Sequence, residues 1–198
     1  MRFLALGDSY TIGEGVDSAG RWPVQLAAAL RAKKLNVSDP EIIARTGWTT
    51  DELAAGIAAA APHGPYSLVT LLIGVNNQYR GRDAGQYRNE FKSLLAQAVG
   101  FAGGTASRVV VLSIPDWGVT PFAKGRDAEK IGSEIDLFNA IGREESLAAG
   151  AHWVDVTAAS REPHTGWVGT KDGLHPTATQ YARWAALSVD AASSALRK

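Results

Sequence analysis

Short apolar runs alternate with longer amphipathic stretches along this chain of 198 residues. Each run is bounded by turn-forming residues, which is typical of parallel strands whose two faces are both covered. The runs that predict strands are residues 2–7, 41–45, 67–73, 108–113 and 152–156. Because strand and helix alternate, we predict a three-layer α/β/α sandwich with a five-stranded parallel sheet. The length suits one such unit, so residues 1–198 are predicted to form a single domain.

The helical stretches begin at recognisable capping signals. A Thr or Asp followed three residues later by Glu or Gln occurs before three of them, at Thr49, Asp83 and Thr177. Two further helices are predicted over residues 23–34 and 128–149, where apolar residues recur at helical spacing. In a parallel sheet the carboxyl ends of the strands meet at one edge, where ligands bind. The residues that follow the strands are therefore the first candidates for chemistry.

Two segments at opposite ends of the chain supply the groups that a serine nucleophile needs. Ser9 follows the first strand, in a turn where backbone N–H groups point at whatever is bound. His175 precedes the last helix, and Asp172 lies three residues earlier in a glycine-containing turn, from which it can hold one ring nitrogen. The other nitrogen then accepts the proton of Ser9. The simpler interpretations are a helix cap at Asp8 or Ser9 and an ordinary histidine after a surface turn.

Two further positions can stabilise an oxyanion. Asn76 follows the third strand, and its side-chain amide donates a hydrogen bond without a proton to lose. Gly47 follows the second strand, and it can donate through its backbone while the missing side chain lets substrate approach. The alternative is a Gly-Val-Asn-Asn turn with local side-chain bonds, together with an ordinary turn glycine at Gly47.

In order and spacing, these positions resemble the four sequence blocks of the SGNH (GDSL-type) hydrolase family. The resemblance extends over essentially the whole chain. Tyr10 stands where the family's name has Leu, and Asn77 stands where many members have Asp. The matching segments are Gly7-Asp8-Ser9-Tyr10-Thr11, Arg45-Thr46-Gly47-Trp48-Thr49-Thr50, Ile73-Gly74-Val75-Asn76-Asn77 and Asp172-Gly173-Leu174-His175-Pro176.

The resemblance implies a flavodoxin-like sandwich with a Ser9–His175–Asp172 catalytic triad. It also implies an oxyanion hole made by the N–H groups of Ser9 and Gly47 and the amide of Asn76. The implied activity is cofactor-independent hydrolysis of carboxylic esters through an acyl-serine intermediate, with short acyl groups such as acetyl. Two alternatives are a thioesterase or lysophospholipase for longer acyl chains, and a catalytically silent carbohydrate-binding module of the same fold.

Aromatic residues on predicted loops are candidates for the substrate pocket, where they would line a site for an acyl group or a sugar. Anchoring of the loops is the alternative interpretation. Together with two residues that flank the site, the predicted pocket residues are Asp8, Trp48, Asn77, Tyr79, Trp117, Phe122 and Trp167.

Composition and missing motifs exclude several classes of function. The chain has no Cys, which excludes disulfides and thiolate chemistry. Its 20 basic and 20 acidic residues give no electrostatic case for nucleic acid, and no apolar stretch has the length of a membrane span. It lacks G-x-G-x-x-G and Walker A sequences, and His63, His152 and His164 have no carboxylate at ligand spacing, so no cofactor and no metal are predicted.

The expected partner is therefore a small-molecule ester, and the oligomeric state is left open. The apolar run after Arg2 is too short for the core of a signal peptide. Unless a signal was removed before residue 1, we expect a cytoplasmic protein.

Overall fold

The computed structural model describes residues 1–162 and 171–197. Five parallel strands form one sheet in the order β2-β1-β3-β4-β5. They are β1 (Phe3–Gly7), β2 (Glu41–Ala44), β3 (Leu68–Leu72), β4 (Val109–Leu112) and β5 (His152–Val154). The predicted sheet is confirmed, and each strand lies inside the apolar run that predicted it. The winding direction reverses between β1 and β3, which is where open α/β sheets bind ligands.

Helices cover both faces of the sheet and complete the three layers. On one face, α2 (Trp22–Ala32) packs against α8 (Ala178–Leu196). On the other face, α5 (Ala84–Phe101) packs between α3 (Thr50–Ala60) and α6 (Ala128–Ala148). Every residue of β1, β3 and β4 is buried, because helices lie on both sides of these strands.

The predicted capping signals are present in the structure. The backbone N–H of Thr49 donates to Glu52 Oε2 at 2.9 Å, which forms one half of a capping box at the start of α3. The side chains of Asp83 and Thr177 accept hydrogen bonds from the backbone N–H groups of Gln86 and Gln180, at the starts of α5 and α8. Within the described residues, no helix combines the length and the apolar character that crossing a bilayer requires.

Three short helices at the carboxyl edge lie outside the helical stretches predicted from the sequence, although a helix cap at Asp8 or Ser9 was one of the interpretations. They are α1 (Ser9–Ile12), α4 (Val75–Tyr79) and α7 (Thr157–Arg161), and they begin close behind β1, β3 and β5. Such helices are too short to show a hydrophobic period in the sequence. Asn76 therefore lies in a helical turn, where the sequence had suggested a Gly-Val-Asn-Asn turn.

Candidate active site

Ser9 is the first residue of α1 and comes almost directly after β1. The turn between them is tight: a Cβ on Gly7 would lie 2.2 Å from Thr11 Oγ1 and 2.5 Å from a backbone oxygen of β3. Only glycine fits there. Asp8 caps α1, since its Oδ1 accepts a hydrogen bond from the backbone of Tyr10 at 3.0 Å. The turn thus places Ser9 at the carboxyl edge of the sheet, where it lines a cavity.

Asp172 and His175 form the second turn of the site, just before α8. His175 Nδ1 lies 2.6 Å from Asp172 Oδ2 and donates its proton to that oxygen. Asp172 Oδ1 accepts from the backbone N–H groups of Leu174 and His175, at 2.9 and 3.1 Å. With the proton on Nδ1, the lone pair is on Nε2, which is the tautomer that a general base requires.

The two aspartates beside these groups have pKa values displaced in opposite directions. Burial raises the pKa of Asp8 from its ordinary 3.8 to about 7, against the lowering effect of the Tyr10 backbone hydrogen bond. Burial also acts to raise the pKa of Asp172, but hydrogen bonds from the His175 ring and from two backbone N–H groups outweigh it. The pKa of Asp172 therefore lies well below its ordinary value, and this carboxylate is charged beside the imidazole.

Hydrogen-bond donors come from the turns after β2 and β3. Asn76 Nδ2 donates to the carbonyl of Trp48 at 2.9 Å, which uses one of its two amide protons and fixes the direction of the other. Gly47 has a φ of +85°, a left-handed conformation that favours glycine, and Arg80 Nη2 holds its carbonyl at 2.6 Å. Among the described residues, nothing accepts a hydrogen bond from the backbone N–H of Ser9 or of Gly47.

A cavity of about 150 Å³ brings these groups together. Its walls contain the hydroxyl, imidazole and amide of the predicted site, and the remaining side chains are apolar or aromatic. The lining residues are Ser9, Tyr10, Val75, Asn76, Tyr79, Trp117, Phe122, Leu174 and His175. A cavity of this size holds a group about as large as benzene.

Tyr79, Trp117 and Phe122 form an aromatic wall on one side of the cavity. Their ring centroids lie 5.4 to 6.2 Å apart. Trp117 Nε1 donates to Gln78 Oε1 at 2.7 Å, which fixes the indole. The Arg126 guanidinium stacks 5.2 to 5.3 Å from all three ring centroids. Polar partners therefore hold the wall, and its three residues line the cavity.

The aromatic wall is joined directly to the turn that carries the base. The backbone N–H of Phe122 donates to the carbonyl of Gly173 at 3.0 Å. Gly173 lies between Asp172 and His175 in sequence, so this bond couples the position of the wall to that of the imidazole.

Three of the residues predicted for the pocket lie elsewhere. Asn77 is fully buried and exchanges hydrogen bonds with Thr50, whose N–H donates to Asn77 Oδ1 at 3.1 Å. Asp8 is buried beneath Ser9 as a helix cap. The indole of Trp48, which precedes α3 in the chain, packs against the backbone of that helix, where a Cβ on Gly56 would be only 2.1 Å from the ring.

For Trp48, anchoring of the loop is therefore the interpretation that the contacts support, whereas Asn77 bonds the distant Thr50 and not its own turn. Trp167 lies outside the described residues. Sequence reasoning missed Tyr10, Val75 and Leu174 as lining residues, although each is adjacent in the chain to a predicted catalytic or oxyanion-hole residue. It also missed Gln78 and Arg126, whose roles depend on contacts that no local pattern reveals.

Comparison with solved structures shows the same fold in several hydrolases. The psychrotrophic esterase EstA from Pseudoalteromonas sp. is 14% identical with a TM-score of 0.75, and the alignment covers 100% of this chain and 99% of that one. A lipase/acylhydrolase from Enterococcus faecalis is 20% identical with a TM-score of 0.72, covering 96% and 94%. A mutant of Axe2, an acetyl-xylooligosaccharide esterase from Geobacillus, is 17% identical with a TM-score of 0.73, covering 96% and 93%.

A search of curated protein sequences finds no match. The model of the GDSL-like lipase/acylhydrolase family, in contrast, matches residues 5–183, a span that includes Ser9, Gly47, Asn76 and His175. The flavodoxin-like arrangement of the five strands agrees with that match. The chain therefore belongs to the GDSL-like lipase/acylhydrolase family and is a serine ester hydrolase.

Proposed function

We propose that the chain hydrolyses carboxylic esters with short acyl groups through an acyl-enzyme intermediate on Ser9. The observation that carries the proposal is the shared cavity of Ser9, Asn76 and His175, with Asp172 hydrogen-bonded to the imidazole at 2.6 Å. The hydroxyl of Ser9, the imidazole of His175 and the amide of Asn76 come from three separate turns at the edge of the sheet and line one cavity. Such convergence is what nucleophilic catalysis requires.

In the proposed mechanism, Ser9 Oγ attacks the acyl carbonyl while His175 Nε2 takes the hydroxyl proton. Asp172, charged and bonded to Nδ1, stabilises the imidazolium that forms. The N–H groups of Ser9 and Gly47 and the second amide proton of Asn76 stabilise the oxyanion. His175 then gives its proton to the departing alcohol, and water, activated by the same imidazole, releases the acid from Ser9.

The size of the cavity supports short acyl groups. A space of about 150 Å³ takes a group of roughly six non-hydrogen atoms, judged by cavities of this volume that bind benzene. Acetyl to butyryl esters fit that limit. One structural neighbour is an acetyl-xylooligosaccharide esterase, but at 17% identity the likeness concerns the fold alone.

A second candidate function is hydrolysis of esters or thioesters with longer acyl chains. It is favoured by the exposed rim of the aromatic wall, where Tyr79 and Phe122 are 45% and 37% exposed. Exposed apolar side chains grouped at the mouth of a cavity are a surface on which a chain can lie. The two candidates share the chemistry and differ in the length of the acyl group.

A ladder of p-nitrophenyl esters from acetyl to octanoyl separates the two candidates. We expect the largest kcat/KM for acetyl to butyryl, and a maximum at octanoyl would favour the second candidate. Ser9→Ala and His175→Ala should each lower turnover by about 10⁴- to 10⁶-fold. Ser38→Ala, at an exposed serine away from the cavity, is the matched control and should retain activity.

Labelling with a fluorophosphonate tests catalysis without a choice of substrate. The reagent should add to wild type and to Ser38→Ala, and peptide mass spectrometry should place the adduct on Ser9. Absence of an adduct on Ser9 would favour the silent carbohydrate-binding module.

A further inference from the structure

Tyr10 is a buried aromatic residue that connects the nucleophile to the base. It follows Ser9 directly, lines the same cavity and is 1% exposed. Its ring meets the ring of His175 edge to face, with centroids 5.7 Å apart and an interplanar angle of 61°. The side chain of the residue after the nucleophile therefore contacts the imidazole that must accept the nucleophile's proton.

The Tyr10 ring is itself fixed by α8. It meets Trp184 edge to face at 5.7 Å, and Trp184 meets Tyr181 at 5.2 Å with an interplanar angle of 88°. All three aromatic residues are buried. The imidazole is therefore connected to α8 twice. The chain connects it because α8 begins directly after the turn that carries His175, and the stacked rings connect it through Tyr10 and Trp184.

The contact with Asp172 does not by itself fix where Nε2 points. The side chain of Asp172 is 43% exposed, so the Nδ1···Oδ2 bond lies partly in solvent, where water can replace it and let the ring tilt away from Asp172. The Tyr10 ring packs against the imidazole inside the protein and limits the tilt. A misplacement of about 1 Å at a reacting atom can lower turnover by roughly 100-fold.

We infer that Tyr10 is a positioning residue, whose aromatic ring holds the His175 imidazole at the orientation in which Nε2 meets the Ser9 hydroxyl. The ring and not the hydroxyl carries the role. Tyr10 Oη is buried and has no hydrogen-bond partner among the described residues, so it does not orient anything through a hydrogen bond. The kinetic consequences of this inference rest on the proposed function. Its consequences for the geometry of the Asp172–His175 pair do not.

The kinetic test compares Tyr10→Leu, Tyr10→Phe and Phe91→Leu on p-nitrophenyl acetate. Tyr10→Leu should lower kcat by about 10- to 100-fold while KM changes by less than about threefold, because the reacting geometry is lost and the cavity stays open. Tyr10→Phe keeps the ring and should restore kcat to within about threefold of wild type. Phe91 is as buried as Tyr10, belongs to α5 and does not line the cavity, so Phe91→Leu is the stability-matched control.

Both leucine variants should lower the Tm by about 4–10 °C, through loss of buried aromatic packing. Only Tyr10→Leu should lower kcat. Equal kcat losses in Tyr10→Leu and Phe91→Leu would overturn the inference, and so would a loss in Tyr10→Phe as large as that in Tyr10→Leu. If Tyr10→Leu does not fold, Tyr10→Met supplies a flexible side chain of similar volume and the same expectation applies.

A spectroscopic readout separates this inference from the proposed function. In protein labelled with ¹⁵N-histidine, one of the 4 histidines should show a far-downfield Nδ1 proton from the bond to Asp172, assigned by its loss in His175→Ala. The signal should persist in Tyr10→Phe and Phe91→Leu and broaden or vanish in Tyr10→Leu. An unchanged signal in Tyr10→Leu would overturn the positioning role. Absence of ester hydrolysis in wild type would overturn the proposed function and leave this result standing.

Discussion

Two turns at the carboxyl edge of the sheet each contain an aspartate close to the catalytic site, and the surroundings of these aspartates displace their pKa values in opposite directions. In the turn after β1, Asp8 is fully buried, and of its two oxygens only Oδ1 has a hydrogen-bond partner among the described residues. In the turn before α8, Asp172 accepts hydrogen bonds from two backbone N–H groups and from His175 Nδ1. Burial governs the first carboxyl and hydrogen bonding governs the second.

The difference shows how one sheet edge keeps one carboxylate charged and lets another become neutral. Three donors stabilise the anion of Asp172 more than partial burial disfavours it. One donor cannot do this for Asp8, whose pKa of about 7 makes it titrate in the neutral range. The charged group is therefore the one beside the imidazole, where a negative charge stabilises the protonated base.

The same substitution in the two turns should have very different effects on catalysis. Asp172→Asn should lower kcat by about 10²- to 10⁴-fold, because the amide donates to Nδ1 and moves the imidazole proton to Nε2. Asp8→Asn keeps the capping oxygen for the Tyr10 backbone and should lower kcat by less than about tenfold. Turnover of p-nitrophenyl acetate measures both. Equal losses in the two variants would refute the distinction between the turns.

The turn after β3 contains a second pair of like residues with different surroundings. Asn76 lines the cavity, whereas the neighbouring Asn77 is buried against Thr50. Asn76→Ala should lower kcat by about 10²- to 10³-fold at nearly unchanged stability, through loss of an oxyanion donor. Asn77→Ala should leave kcat within about tenfold and lower the free energy of unfolding by about 1–3 kcal/mol, because the polar groups of Thr50 lose their partner. Parallel assays and urea denaturation curves would show whether the two amides behave alike.

The raised pKa of Asp8 predicts a stability that falls as the pH rises. In the unfolded chain this carboxyl loses its proton near pH 3.8, whereas the folded protein keeps it until about pH 7. Folding is therefore penalised progressively between these values, by up to about 4 kcal/mol above pH 7. Urea denaturation at pH 5 and pH 8 should show a smaller change in Asp8→Asn than in wild type. Identical pH dependence in the two proteins would mean that Asp8 is charged in the folded state.

The lowered pKa of Asp172 acts in the opposite direction and more weakly. Its contribution to stability is present above the ordinary value of 3.8 and is lost as the pH falls below it. Because the side chain is 43% exposed, the effect is screened and should be the smallest of those described here. The free energy of unfolding should therefore fall slightly less between pH 5 and pH 2 in Asp172→Asn than in wild type, as urea denaturation at the two pH values measures.

The fold was accessible from the sequence because the strands are buried on both faces. In a chain where short apolar runs alternate with amphipathic stretches, a run such as residues 68–72 is typical of a buried strand. The capping box at Thr49 and Glu52 marks where α3 begins. The meeting of Ser9, Asn76 and Trp117 at one cavity followed from a topological rule, because residues after parallel strands share an edge.

The rest depended on side-chain contacts that local patterns do not encode. Trp48 and Trp117 both follow strands and both looked like pocket residues. A glycine on α3 draws the first indole onto the helix, and Gln78 holds the second at the cavity. The opposite pKa displacements of Asp8 and Asp172 were equally hidden, because each depends on how many donors the folded backbone presents.

The contact between Trp48 and Gly56 links helix packing to the catalytic edge. An interior glycine ordinarily weakens a helix by roughly 1 kcal/mol relative to alanine. Here the indole of Trp48 packs against the backbone of Gly56, and the carbonyl of the same tryptophan accepts a hydrogen bond from the amide of Asn76. Even a methyl group at position 56 would displace the indole, and with it the Trp48 carbonyl that accepts the hydrogen bond of the Asn76 amide. Across related chains, these two positions should thus be inherited as a matched pair, a large ring at one being tolerated only with no side chain at the other.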